Sequence, residues 1–131
     1  VSWDIGLSLN KKKVIKQCKK SFDFWTTWLG LRWWSVDAVY CADWKSVSNE
    51  FGDENVVGKC YANWEYLKAT IYINVLLMLD QEYKQEEIDQ VVLHELTHVL
   101  VNEMRAEGIE HEERVATTLT KAFLWVRDRD D

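Results

Sequence analysis

The sequence predicts an α+β fold: an N-terminal helix, a three-stranded and mostly antiparallel sheet, and a C-terminal helical hairpin. Three observations carry this expectation. A lysine-rich, helix-forming segment leads the chain, period-two alternation is confined to residues 34–75, and from residue 85 onward the apolar positions fit helices. Strands grouped before helices indicate α+β architecture rather than a doubly wound one.

Residues 10 to about 31 combine lysines with FDFWTTWLGL, which reads as one helix stopping near Gly30. In WWSVDAVYCADW, Trp34, Val36, Ala38 and Tyr40 alternate with Ser35, Asp37 and Cys41, the pattern of a strand with one buried face. The polar, glycine-containing stretch KSVSNEFGDEN at 45–55 reads as a loop. Strands are expected at 56–62 and 66–75, joined by a turn at Asn63, Trp64 and Glu65. The second is the clearest, because Leu67, Ala69, Ile71, Ile73 and Val75 alternate with Tyr66, Lys68, Thr70, Tyr72 and Asn74. After LLMLDQEYKQ come a helix over about 85–104, a turn around MRAEG and a last helix over about 109–127.

With 131 residues, no proline and no internal repeat, the chain reads as a single domain spanning 1–131. A formal charge of −6 argues against a nucleic-acid or anionic-membrane binder, since such proteins gain affinity by neutralising phosphates. The basic run KKKVIKQCKK at 11–20 reads as the solvated face of an amphipathic helix. Cys18, Cys41 and Cys60 lack any Cys-x-x-Cys spacing and are expected to be free thiols. VSWDIGLSLN does not resemble a signal peptide, and VLLML near residue 75 is too short to cross a bilayer. A cytoplasmic protein is the expectation. The eight tryptophans are expected to supply core volume and surface anchors.

The segment QVVLHELTHVLVNEM holds two of the three histidines in an otherwise apolar helix. Burying a carboxylate and two imidazoles is costly unless each has a partner. At 100° per residue, His94 and His98 project from one face, one above the other, and both can reach one tetrahedral zinc ion. Glu95 stands one step round the helix, close enough to touch a metal-bound water without being a ligand. This is the H-E-x-x-H arrangement, in which the metal acidifies a water and the glutamate takes its proton.

A third ligand is needed, and GIEHEERVATTLTKAF offers Glu110, His111, Glu112 and Glu113. If the turn centres near 105–106, residues 112 and 113 come level with the histidines at about 1.5 Å per residue. Glu112 shares a stripe with Val115, Ala116 and Leu119, whereas Glu113 shares one with Ala116, Thr117 and Thr120. The small side chains of the second stripe let two helices approach closely, so Glu113 is favoured over Glu112, with His111 as an outsider. Tyr72, Tyr83 and His111 are candidates for a donor to an oxyanion, and the strand at 66–75 is a candidate edge for an extended peptide.

HELTHVLVN followed by EERVATTLT resembles the gluzincin-type zinc metallopeptidases, especially their minimal single-domain versions and small phage-encoded metallopeptidase-like proteins. The resemblance covers about residues 66–125 and implies a zincin-like fold with Zn²⁺ held by His94, His98 and Glu113, and Glu95 as general base for peptide-bond hydrolysis. The implied partner is a peptide or protein substrate. In that family a small residue follows the ligand glutamate at the third position and an acidic one at the fourth. Here Ala116 fits and Thr117 does not, so the group orienting a ligand histidine is Thr117 itself or comes from elsewhere. The alternative function is a non-catalytic binding or assembly protein that retains a structural zinc site.

Overall fold

The computed structural model describes residues 2–53, 55–102 and 111–129, with 2–9 described by their backbone alone. Helix α1 spans Ser2–Trp28, and a short 3₁₀ turn, Leu31–Trp33, follows it. Strand β1 is Ser35–Cys41, helix α2 Trp44–Phe51, strand β2 Gly58–Asn63 and strand β3 Lys68–Asn74. Helix α3 is Val75–Asp80, α4 Gln85–Leu100 and α5 Glu112–Arg129. The α+β class, the leading helix, the three strands and the trailing helices are as the sequence predicts. The expected turn around MRAEG lies outside the described residues.

Helix α1 starts eight residues earlier than its lysine-rich part suggests. Residues 2–9 contain no proline and one glycine, Gly6, so a helix nucleated further along extends back at small cost per residue. It ends where Gly30 takes a left-handed φ of 72°. Lys12, Lys13, Lys16, Lys19 and Lys20 all lie exposed, while Val14, Cys18, Ser21 and Trp25 are buried, giving the amphipathic division expected of the basic run.

The stretch 45–55 is mostly helix rather than loop. Asp43 Oδ1 accepts a hydrogen bond from Ser46 N–H at 2.8 Å, capping the start, and Gly52 at φ 66° closes the end. Val47 and Phe51, four apart, bury one face of α2. Composition disguised this helix, whereas its two caps and one apolar pair specify it.

The strand order is β1-β3-β2, so β3 is central. β2 and β3 form the expected antiparallel hairpin, with Gly58 opposite Ile73 and Asn63 opposite Lys68. β1 pairs with β3 in parallel, Ser35 opposite Lys68 through Cys41 opposite Asn74. The sheet is therefore mixed rather than mostly antiparallel. Consecutive strands are usually neighbours, but here β3 inserts between β1 and β2. The hairpin turn runs over 64–67, held by Asn63 Oδ1 accepting from Glu65 N–H at 3.0 Å and by Leu67 at a left-handed φ of 53°.

One sheet face packs on α1 and α4 through Ile71, Ile73, Trp25, Met78, Val92, Leu93 and Leu96, all fully buried. The other face carries a smaller cluster of Cys41, Val47 and Phe51 packed with Tyr72. Asn74 ends β3 and starts α3: its Oδ1 accepts from Leu77 N–H and its Nδ2 donates to Val56 C=O, each at 3.0 Å. The tryptophans divide as expected, Trp25 in the core and Trp33, Trp44 and Trp125 exposed. Cys18, Cys41 and Cys60 are not joined in disulfides, and burial, helped by the charge of Asp89, pushes the Cys18 thiol up to about 12. No described helix is long and apolar enough to cross a membrane.

Candidate metal centre

Helix α4 begins where the Glu87 carboxylate accepts the Lys84 N–H at 3.0 Å, with Glu86 and Glu87 complementing the positive end of the helix dipole. Its apolar positions Ile88, Val92, Leu93, Leu96 and Val99 are buried under the sheet. That packing fixes the rotation of the helix and turns His94 and His98 together toward α5. The two rings lie edge to face with centroids 4.9 Å apart, and their Nε2 atoms are 3.3 Å apart.

Glu113, in the first turn of α5, closes the group. One carboxylate oxygen is 2.8 Å from His94 Nε2 and the other 3.0 Å from His98 Nε2. One ligand atom from each of His94, His98 and Glu113 lies within 4.8 Å of the others, a triad able to hold a metal ion. Among the described alternatives, His111, Glu112 and Glu113, the triad takes Glu113; Glu110 lies outside the described residues. Its side chain is 71% exposed, so the group opens to solvent on that side.

The register between α4 and α5 comes from small residues. Ala116 and Thr120 are buried, and Thr120 Oγ1 lies 3.0 Å from Thr97 Oγ1. Thr97 donates in turn to the carbonyls of Leu93 and His94 at 2.8 Å. The small-residue stripe expected to face the histidines does so. Glu112, one position earlier and rotated by about 100°, points to the inner side of the same imidazole: its Oε2 is 3.6 Å from His98 Nδ1, and the two side chains are 12% and 9% exposed. His111 is exposed at the mouth of α5 with φ 74°, its carbonyl accepting Val115 N–H at 3.0 Å.

Glu95 is buried between α4 and β2. An ideal Cβ on Gly58 would come within 2.7 Å of Glu95 Oε2 and 3.0 Å of its Cγ, so the carboxylate rests on a strand position where only hydrogen leaves room. Burial, and then the charge of Glu113, push the Glu95 carboxyl up to about 8. Gly58 was not among the residues singled out from the sequence. The signal for it is a lone glycine opening a strand, which marks a close approach.

A cleft of ≈ 280 Å³ beside the triad is lined by Val57, Tyr83, Glu87, Gln90, Val91, His94 and Glu95. Of the three candidate oxyanion donors, only Tyr83 lines it. Tyr72 belongs to the opposite sheet face, where its ring meets Tyr61, and it is removed from the candidates on that ground. The edge strand beside Glu95 is β2, not the 66–75 strand, which is central. Val57 C=O accepts from Asn74 N–H at 2.8 Å. The alternation of an antiparallel ladder therefore directs the backbone groups of Gly58, Cys60 and Ala62 away from β3.

Comparison of the chain with protein-family models, with curated proteins and with solved structures finds no match.

Proposed function

We propose that this protein is a gluzincin-like zinc metallopeptidase, with His94, His98 and Glu113 as ligands and Glu95 as general base. The observation supporting the reading is that ligand atoms of His94, His98 and Glu113 all lie within 4.8 Å of one another. Two nitrogens bound to one tetrahedral zinc at about 2.05 Å lie about 3.3 Å apart, and the Nε2 atoms are 3.3 Å apart. A set of two imidazoles and one carboxylate is a usual three-ligand zinc set that leaves a position for water or substrate.

A zinc ion in such a site polarises a carbonyl oxygen and lowers the pKa of a water. Glu95, next along the helix from His94, takes the proton of the attacking water and returns it to the leaving amine. Its carboxyl, held near 8 by burial in the bare protein, is favoured as carboxylate once the triad carries positive charge. An extended peptide adds to the outer edge of β2 by backbone hydrogen bonds, with one side chain in the cleft beside His94. Tyr83, from the wall of that cleft, is the donor available to the oxyanion. The solvent-facing side of Glu113 and the adjoining cleft favour an open catalytic site over a closed structural one.

Metal analysis of the purified protein, beside a peptide-cleavage assay with and without chelator, tests the reading. The expected result is close to one zinc per chain, lost in His94→Ala and His98→Ala and severely weakened in Glu113→Ala, with cleavage that follows the zinc. Stoichiometric zinc retained by both histidine variants would end the proposal.

A further inference from the structure

We infer that Glu112 is the positioning residue of this centre, holding the His98 imidazole by its inner nitrogen while the outer nitrogen faces the triad. The inference rests on the zinc reading above. A histidine that ligates through Nε2 must be neutral there and carry its proton on Nδ1, and that proton needs an acceptor to fix the tautomer and the ring plane. The sequence pattern leaves this role open, because Thr117 stands where an acidic residue is expected.

Glu112 answers it from the first residue of the same helix. Its Oε2 is 3.6 Å from His98 Nδ1, a polar contact just beyond hydrogen-bond length, and both side chains are nearly buried. Two polar side chains buried side by side lower the cost of burial by facing each other. Consecutive glutamates of α5 thus lie beside opposite nitrogens of one ring, Glu113 3.0 Å from Nε2 on the solvent side and Glu112 3.6 Å from Nδ1 on the inside. The 100° step between neighbours on a helix makes this possible, since the ring lies between their two directions. Buried Ala116 and Thr120 bring α5 close enough to α4 for both contacts.

The test compares zinc affinity, by competition with a chelator, among the full-length wild type, Glu112→Ala, Glu112→Gln and His98→Ala. Cobalt(II) absorption reports ligand geometry, and chelator-treated melting reports the bare fold. Glu112→Ala should bind zinc roughly 10–100-fold more weakly, the usual effect of removing a carboxylate behind a ligand histidine, with an altered cobalt spectrum. Glu112→Gln keeps an oxygen that accepts the Nδ1 proton and should recover most of that loss. Wild-type affinity in Glu112→Ala overturns the inference. So does an equal loss in the alanine and glutamine variants that tracks a lowered melting point of the bare protein, which would mark a purely structural role. Complete loss in Glu112→Ala, matching His98→Ala, would make Glu112 a ligand and overturn it as well. Absence of His98-dependent zinc binding in the wild type sinks the zinc reading itself, and this inference with it.

Discussion

Replacing Gly58 by alanine adds one methyl group at the point where β2 meets the glutamate of the H-E-x-x-H motif. The backbone there is not left-handed, so the substitution is a question of space alone. The new carbon would sit 2.7 Å from Glu95 Oε2, 3.0 Å from Cγ and 3.1 Å from Cδ. Ordinary contacts between such atoms need about 3.5–4.0 Å, so three atoms must each give by several tenths of an ångström or more. Glu95 is 7% exposed and cannot swing into water, which leaves a shifted carboxylate or a displaced edge strand. Overpacking of this kind costs about 1–3 kcal/mol, offset by about 0.4–1 kcal/mol from the reduced entropy of the unfolded chain.

A net loss of about 1–2 kcal/mol is therefore expected in urea unfolding of the metal-free protein. The same substitution in a Glu95→Ala background, where the clashing atoms are gone, should be neutral or stabilising. The cycle isolates the contact because Gly58→Ala introduces one side of the clash and Glu95→Ala removes the other. Equal destabilisation in both backgrounds, or none in the wild type, would refute the claim that Gly58 exists to make room for the carboxylate.

Glu95→Gln should keep zinc and fold, because the side chain lies outside the triad, yet lower cleavage by roughly 10²–10⁴-fold as the loss of a general base requires; zinc loss in this variant would show its role to be misassigned. Glu95 also predicts a pH dependence of the metal-free protein. Its carboxyl rises from 4.5 to about 8 through burial first and the Glu113 charge second. The folded state thus retains a proton that the unfolded state has released, and this contribution to stability is lost as pH climbs from about 4.5 to about 8, by at most about 1.4 kcal/mol per unit. Urea unfolding in chelator at pH 5.5 and 7.5 should show the fall, and Glu95→Gln should remove that part of it. An identical slope in the variant would mean that Glu95 is ionised in the folded protein.

Two carboxylates that touch the same histidine from opposite sides also change what single substitutions mean here. Loss of zinc affinity in a glutamate variant does not by itself identify a ligand, because Glu113 lies at the Nε2 atoms and Glu112 beside Nδ1 of the same His98 ring. The magnitude separates them: removal of a ligand weakens binding severely, whereas removal of an orienting group leaves a measurable site.

What the sequence determined by itself was everything set by local periodicity. The four-residue spacing of His94 and His98 puts both imidazoles on one helix face whatever surrounds them, and the alternation through Ala69, Ile71 and Ile73 turns one strand face inward. Helix α2 was equally local, written in Asp43, Val47, Phe51 and Gly52, and polarity hid it. Only the tertiary structure decided what depends on how separate elements meet. Glu112 and Glu113 differ by one step round a helix, and their assignment required the register of α5 on α4, fixed by Ala116, Thr97 and Thr120. Strand order was beyond a local reading because β1 and β3 are separated by α2 and β2 in the chain but paired in space, which makes β2 the edge beside Glu95. Gly58 joins the site, Tyr83 stays beside it and Tyr72 leaves it for the same reason: strand pairing and helix packing choose which residues distant in sequence share a face, and no period within one element encodes that choice.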